Sequence, residues 1–107
     1  MAKQKFKLKN DKYRKARGGY SRVLKLSCSA CKAAVLFYQK DGPGPLLRLY
    51  IDRIFLPMPG GKIQGPNLKC KSCDRVLGRR DIFVKEHRPC IRMFQGAVTK
   101  KIAKQGL

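Results

Sequence analysis

The chain writes one short pattern twice: Leu26-Ser27-Cys28-Ser29-Ala30-Cys31 and Leu68-Lys69-Cys70-Lys71-Ser72-Cys73. A two-residue gap lets a tight turn aim both sulfurs to the same side. Two such turns facing each other offer four thiolates to one tetrahedral ion, with the turn N–H groups free to bond sulfur. A chain of 107 residues buries only a modest core. Small domains often take the missing stability from a metal or from disulfides. The cysteine pairs therefore constrain the fold more than any other feature.

Several chemistries use paired cysteines. The N-terminus has no apolar core of the kind a secretory signal needs, and its alternating Lys3, Lys5, Lys7 and Lys9 make a transit peptide the weaker reading. A reducing compartment is expected, where such pairs are metal ligands more often than disulfides. A thioredoxin-type pair needs a βαβ context and leaves the second pair unexplained. A rubredoxin-like iron site uses the same ligands but suits acidic electron carriers, so one structural Zn²⁺ is favoured. His87 and Cys90 repeat the spacing in His-Arg-Pro-Cys and could replace one pair. The duplicated leucine favours Cys28, Cys31, Cys70 and Cys73.

Around each pair the sequence reads as a hairpin. Arg22–Ser27 enters the first pair and Lys32–Gln39 leaves it; Asn67–Cys70 enters the second and Asp74–Gly78 leaves it. Residues 40–45 (Lys-Asp-Gly-Pro-Gly-Pro) are the strongest turn signal. Residues 46–56 are β-branched and aromatic enough for one central strand. Arg79-Arg80-Asp81 is expected as the turn at the second hairpin's tip, with strands at 82–86 and 90–94. Val98 and Ile102, at i,i+4 spacing, suggest a short helix over 97–104.

With these residues in view, segment 22–86 resembles a zinc ribbon, two knuckle hairpins with added strand, in which Cys28, Cys31, Cys70 and Cys73 match the ribbon's ligands. The stretch between the pairs is longer than in many ribbons. The Pro and Gly common around knuckle cysteines are missing, replaced by Ser29, Lys32, Lys71 and Asp74. The expected organisation is an extended basic arm over 1–21, a mostly-β ribbon domain over 22–94 and a basic tail over 95–107. With its basic termini the chain is similar to the small zinc-ribbon proteins of the ribosome, which implies rRNA as partner.

Charge supports the same direction independently. There are 26 Lys and Arg against 6 Asp and Glu, a formal net charge of +20. Such self-repulsion opposes compaction unless a polyanion is near. No apolar run approaches a membrane span and no basic amphipathic helix stands out, so nucleic acid is expected rather than a membrane. The candidate contacts are Lys12, Arg14, Lys15, Arg17 and Arg22 in the arm, Arg48, Arg53, Arg79, Arg80 and Arg92 in the domain, and Lys100, Lys101 and Lys104 in the tail. RNA is preferred to DNA because basic arms fold on RNA and no long reading helix is evident. Tyr13, Tyr20, Tyr38 and Tyr50 are candidate stacking platforms, with Tyr38 and Tyr50 read equally as core residues.

Catalysis is not expected. An all-sulfur zinc site is coordinatively closed, there is one histidine, and the six acids show no catalytic pairing. No small-molecule substrate is implied. The expected partners are rRNA and neighbouring ribosomal proteins, in cytoplasmic ribosomes with organellar ones as the second reading. A DNA-binding regulator and a protein–protein adaptor are the competing functions.

Overall fold

The computed structural model describes residues 8–56 and 58–103. Two antiparallel sheets enclose one core. Strands β1 (Ser21–Cys28) and β2 (Ala34–Asp41) form the first hairpin. Strands β3 (Arg48–Tyr50) and β4 (Ile54–Phe55) follow, then β5 (Gly61–Gln64) and β6 (Asn67–Cys70). Strands β7 (Val76–Phe83), β8 (Arg88–Met93) and β9 (Val98–Ile102) complete the chain. The first sheet has the order β4-β2-β1-β9 and the second β3-β8-β7-β6-β5. Leu24, Leu26, Leu36, Leu49, Leu68, Leu77 and Ile91 meet between them. Burying a leucine of this kind is worth about 1.5–3 kcal/mol.

The duplicated sequence folds as a duplicated structure. In the first hairpin the register shifts between Leu26 and Ser27; in the second it shifts between Leu68 and Lys69. The same step of each copy thus carries a β-bulge. The bulge turns Val35 of one copy and the matching Leu77 of the other into the core, where both are fully buried. Each first strand also gains an outer partner. Cys28 pairs with Val98 of β9, and Cys70 pairs with Gly61 of β5. The C-terminal strand therefore completes the N-terminal copy.

That pairing corrects the helix expected over 97–104. Residues Val98–Ile102 are a strand, and Lys104 lies outside the described residues. A spacing of four fits both periods, because i and i+4 share a face in a strand as in a helix. The open edge of β1 and the β-branched Val98, Thr99 and Ile102 decide for the strand. Two further expectations change. Residues 46–56 are not one central strand but a crossover. Short β3 and β4 lie on the edges of different sheets, joined by a 3₁₀ turn at Ile51–Arg53. Arg79-Arg80-Asp81 is not a turn, because β8 pairs with β7 from Gly78 through Phe83. The reversal falls at a 3₁₀ turn, Val84–Glu86, closed by His87 at a left-handed φ of 50°.

The described part of the N-terminal arm is docked, not extended. Helix α1 (Lys12–Ala16) is capped by Asp11, whose carboxylate accepts from the N–H groups of Tyr13 and Arg14. The same carboxylate takes a 2.6 Å bond from Arg53, which is only 2% exposed. Arg53 also bonds Asp41 at 2.9 Å and Asp52 at 3.3 Å. Arg88, likewise buried, bonds Asp52 and Glu86, and Glu86 takes a 2.8 Å bond from Arg17. The Arg88 guanidinium also stacks over Tyr13 at 4.1 Å and Tyr50 at 3.8 Å. Four of the six acids thus converge on Arg17, Arg53 and Arg88, and this network fastens α1 to the sheets.

The network sets carboxyl pKa values. The bond from Arg53 holds Asp11 down at about 2. Arg17 lowers Glu86. Burial opposes the charge of Asp41, but bonds from Ser21, Gln39 and Arg53 outweigh it and lower its pKa too. Acids with lowered folded-state pKa values stabilise the fold above their unfolded values and lose that contribution as pH falls. Asp11→Asn should therefore lower thermal stability at neutral pH. The gap between wild type and variant should close as pH drops from about 4 toward 2, as followed by Tm. A gap that persists unchanged at low pH would contradict the ion-pair role.

The approach of β5 to β2 supplies a second test. The Gly60 N–H donates to the Val35 carbonyl at 3.0 Å, and a Cβ on Gly60 would sit 1.9 Å from the Ala34 carbonyl oxygen. Backbone cannot swing aside as a flexible side chain can. Gly60→Ala should cost about 3 kcal/mol in urea unfolding of the metal-loaded chain, and an unchanged midpoint would contradict the close approach.

Candidate metal centre and nucleic-acid interface

The two cysteine turns match atom for atom in their backbone bonding. The N–H of Cys28 donates to Ala33 O and that of Cys70 to Arg75 O. The N–H of Lys32 donates to Cys28 O and that of Asp74 to Cys70 O, at 2.9 and 2.8 Å. Ser29 N–H reaches Ala97 O as Lys71 N–H reaches Gly60 O. Lys32 and Asp74, standing where knuckles commonly have glycine, adopt left-handed φ values of 69° and 64°. They bear the strain of that region so that each turn can curl its second cysteine back.

These turns bring four sulfurs together. Cys28 Sγ lies 3.6 Å from Cys73 Sγ, and Cys31 Sγ lies 3.5 Å from Cys70 Sγ. All four are within 4.8 Å of one another. A tetrahedral ion with metal–sulfur bonds of about 2.3 Å requires sulfurs roughly 3.8 Å apart. The cluster is thus positioned to bind a metal ion. Cys28 and Cys70 are buried at the strand ends, and Cys73 is exposed at the rim.

The turn N–H groups favour thiolate. Those of Cys31 and Ala30 lower the pKa of Cys28, and that of Ala33 pulls Cys31 down to about 6. Four negative sulfurs cannot coexist unaided, however. The Arg75 N–H favours the Cys73 thiolate, yet burial and the three neighbouring sulfurs push it up to about 11. The arrangement supplies ready thiolates but needs a cation to hold all four. Among the surrounding side chains, Lys32 Nζ bonds Ser29 O, and the Arg75 guanidinium bonds Ser29 Oγ.

The alternative ligands stay away from the cluster. Cys90 is buried in β8, where desolvation and Asp81 raise its pKa, and His87 is exposed after its 3₁₀ turn. Neither belongs to the group of sulfurs.

The expected nucleic-acid residues divide into three groups. Lys12, Lys15, Arg22, Arg79, Arg80, Arg92, Lys100 and Lys101 are exposed. Arg14, Arg17 and Arg48 are half-buried and partly engaged. Arg14 bonds Ser21 Oγ at 2.9 Å, Arg17 pairs with Glu86 and stacks on Tyr50, and Arg48 stacks on Phe83 at 4.7 Å. Arg53 is a correction. As a candidate nucleic-acid contact it fails, because three carboxylates hold its guanidinium inside, where no phosphate can reach it. Among the tyrosines, Tyr38 takes the core reading. The Tyr38 hydroxyl is buried and accepts from Tyr50 N–H, while Tyr13 and Tyr50 are engaged by Arg88. Tyr20 is 44% exposed.

Two further cations, Lys62 and Lys69, are paired across β5 and β6 on the outer face of the five-stranded sheet, where Lys62 also bonds Asp74. Their alternation with Ile63 and Leu68 is the sequence signal for that placement. Comparison with models of known families, with curated proteins and with solved structures finds no match to this chain.

If the sulfurs close one ion, reduced protein should carry about one metal per chain by elemental analysis, and chelation should unfold it. Cys28→Ser or Cys70→Ser should remove most of the metal-linked stability. Structural tetrathiolate sites supply about 10–16 kcal/mol, comparable to the whole stability of a domain. A metal-free wild type that melts cooperatively would contradict this.

Proposed function

We propose that the chain is an RNA-binding structural protein of the zinc-ribbon class, ribosomal or ribosome-associated, in which one Zn²⁺ serves the fold and the cations hold RNA phosphates. The observation that carries the reading is the separation of charge. Asp11, Asp41, Asp52 and Glu86 are engaged by Arg17, Arg53 and Arg88, and Asp74 pairs with Lys62. What is left outside is overwhelmingly cationic in a chain of net charge +20. A fold that ties five of its six acids to its own cations leaves an excess of free cations, a surface suited to a polyanion.

The sulfur cluster suits a structural role. Four thiolates fill a tetrahedral shell and leave no position for a reacting water. Among ions that accept such a shell, zinc suits a tetrahedral set of four thiolates. The duplicated knuckle turns support assignment to the ribbon class. Among the described residues no helix is long and apolar enough to cross a membrane.

The tagged protein should co-sediment with ribosomal particles at moderate salt and leave them after nuclease treatment. Its affinity for purified rRNA should fall at least about tenfold between roughly 50 and 200 mM salt. Sedimentation away from ribosomes, or a flat salt response, would contradict the reading.

A further inference from the structure

Pairing across the five-stranded sheet places Arg48 beside Arg92, Arg92 beside Arg79, Arg79 beside Asn67, and Asn67 beside Gln64. Side chains at one register position share a face. The neighbouring positions Leu49, Ile91 and Leu68 point into the core, so this row points out. Three arginines therefore stand side by side on adjacent strands, about 4.8 Å apart by strand spacing. Two amide side chains continue the line to the sheet's far edge.

Like charges set directly opposite one another destabilise a sheet. No acid stands in the row, and among the described residues Arg48, Arg79 and Arg92 form no ion pair. Arg17, Arg53 and Arg88, by contrast, each have carboxylate partners. The row sets three unneutralised guanidinium groups directly side by side, an arrangement that an external anion would relieve. At its Arg48 end it reaches a cleft of about 160 Å³ lined by the cations Arg17, Lys40 and Arg48 and by Asp41, whose carboxylate is already bonded by Arg53. Lys40 is only 8% exposed, and its Nζ bonds the carbonyls of Gly42 and Pro43, neutral partners that leave the charge in place.

We infer that this row is the track for one extended RNA strand, running across the sheet from Gln64 to the cleft beside Arg48. The inference rests on the RNA reading above and sharpens it to a face and a form of RNA. A single straight line of guanidinium groups on an open sheet matches one phosphate backbone, and guanidinium planes and amide side chains can engage splayed bases. A duplex would need contacts to two backbones across a groove.

The test uses fluorescence anisotropy of the full metal-loaded chain with a labelled oligouridylate and with an RNA duplex of equal length. Arg79→Gln/Arg92→Gln should weaken single-strand binding at least about tenfold and reduce the log–log salt slope by about 1.4, the loss of two single-strand phosphate contacts. Lys25→Gln/Lys85→Gln removes the same charge away from the row and should stay within about threefold of wild type. The arginine pair's removal should also raise Tm, since it relieves repulsion. Equal losses in both double variants, or tighter binding of the duplex, would overturn the track alone. A drop in Tm alongside the lost affinity would make the row structural and overturn it too. A wild-type chain that binds neither RNA would bring down the RNA reading itself.

Discussion

Four sulfurs from two turns, all within 4.8 Å of one another, are the constraint on which the remaining structure depends. Each turn closes one hairpin, and each hairpin belongs to a different sheet. The sheets pack through a small leucine-rich core that a chain of this length can barely make sufficient. A cation bound among the thiolates would join the two halves at the point where their strands end. It would also replace mutual repulsion of the sulfurs with attraction, so that one event neutralises the site and fixes the sheets.

The second organising force is the placement of charge. Acids are scarce, and the fold does not scatter them. Asp41 and Arg53 are buried together, with Asp11, Asp52, Arg88 and Glu86 extending the network outward to α1. A buried pair of this kind owes little to net Coulomb gain, but removing one partner strands the other. The network's consequence is positional. It docks the N-terminal helix and leaves the outer face of the five-stranded sheet to unpaired arginines.

Much of the core architecture was legible in the residues because it is local. A two-residue cysteine gap flanked by alternating apolar residues specifies a hairpin, and both hairpins and the four-sulfur group follow from it. Strand identity elsewhere depended on distant partners. Val98 and Ile102 carry a spacing that helix and strand share, and only the free edge of β1 chooses between them. Residues 46–56 look like one strand until Arg53 is drawn into three carboxylates that lie apart in sequence. Arg79-Arg80 has the polarity of a turn, yet β8 pairs straight past it. Arg53 itself could not be separated from Arg48 and Arg92 by pattern, because all three sit among apolar neighbours. Burial and register distinguish them.

The most direct measurement is metal titration into the reduced, metal-free chain, with amide hydrogen exchange followed at Leu26 and Leu68. These residues occupy equivalent places in the two copies, one in each sheet. If the thiolates join the halves, both amides gain protection together in one transition that saturates at a single ion per chain. Strong protection in either sheet before metal is added would contradict the account.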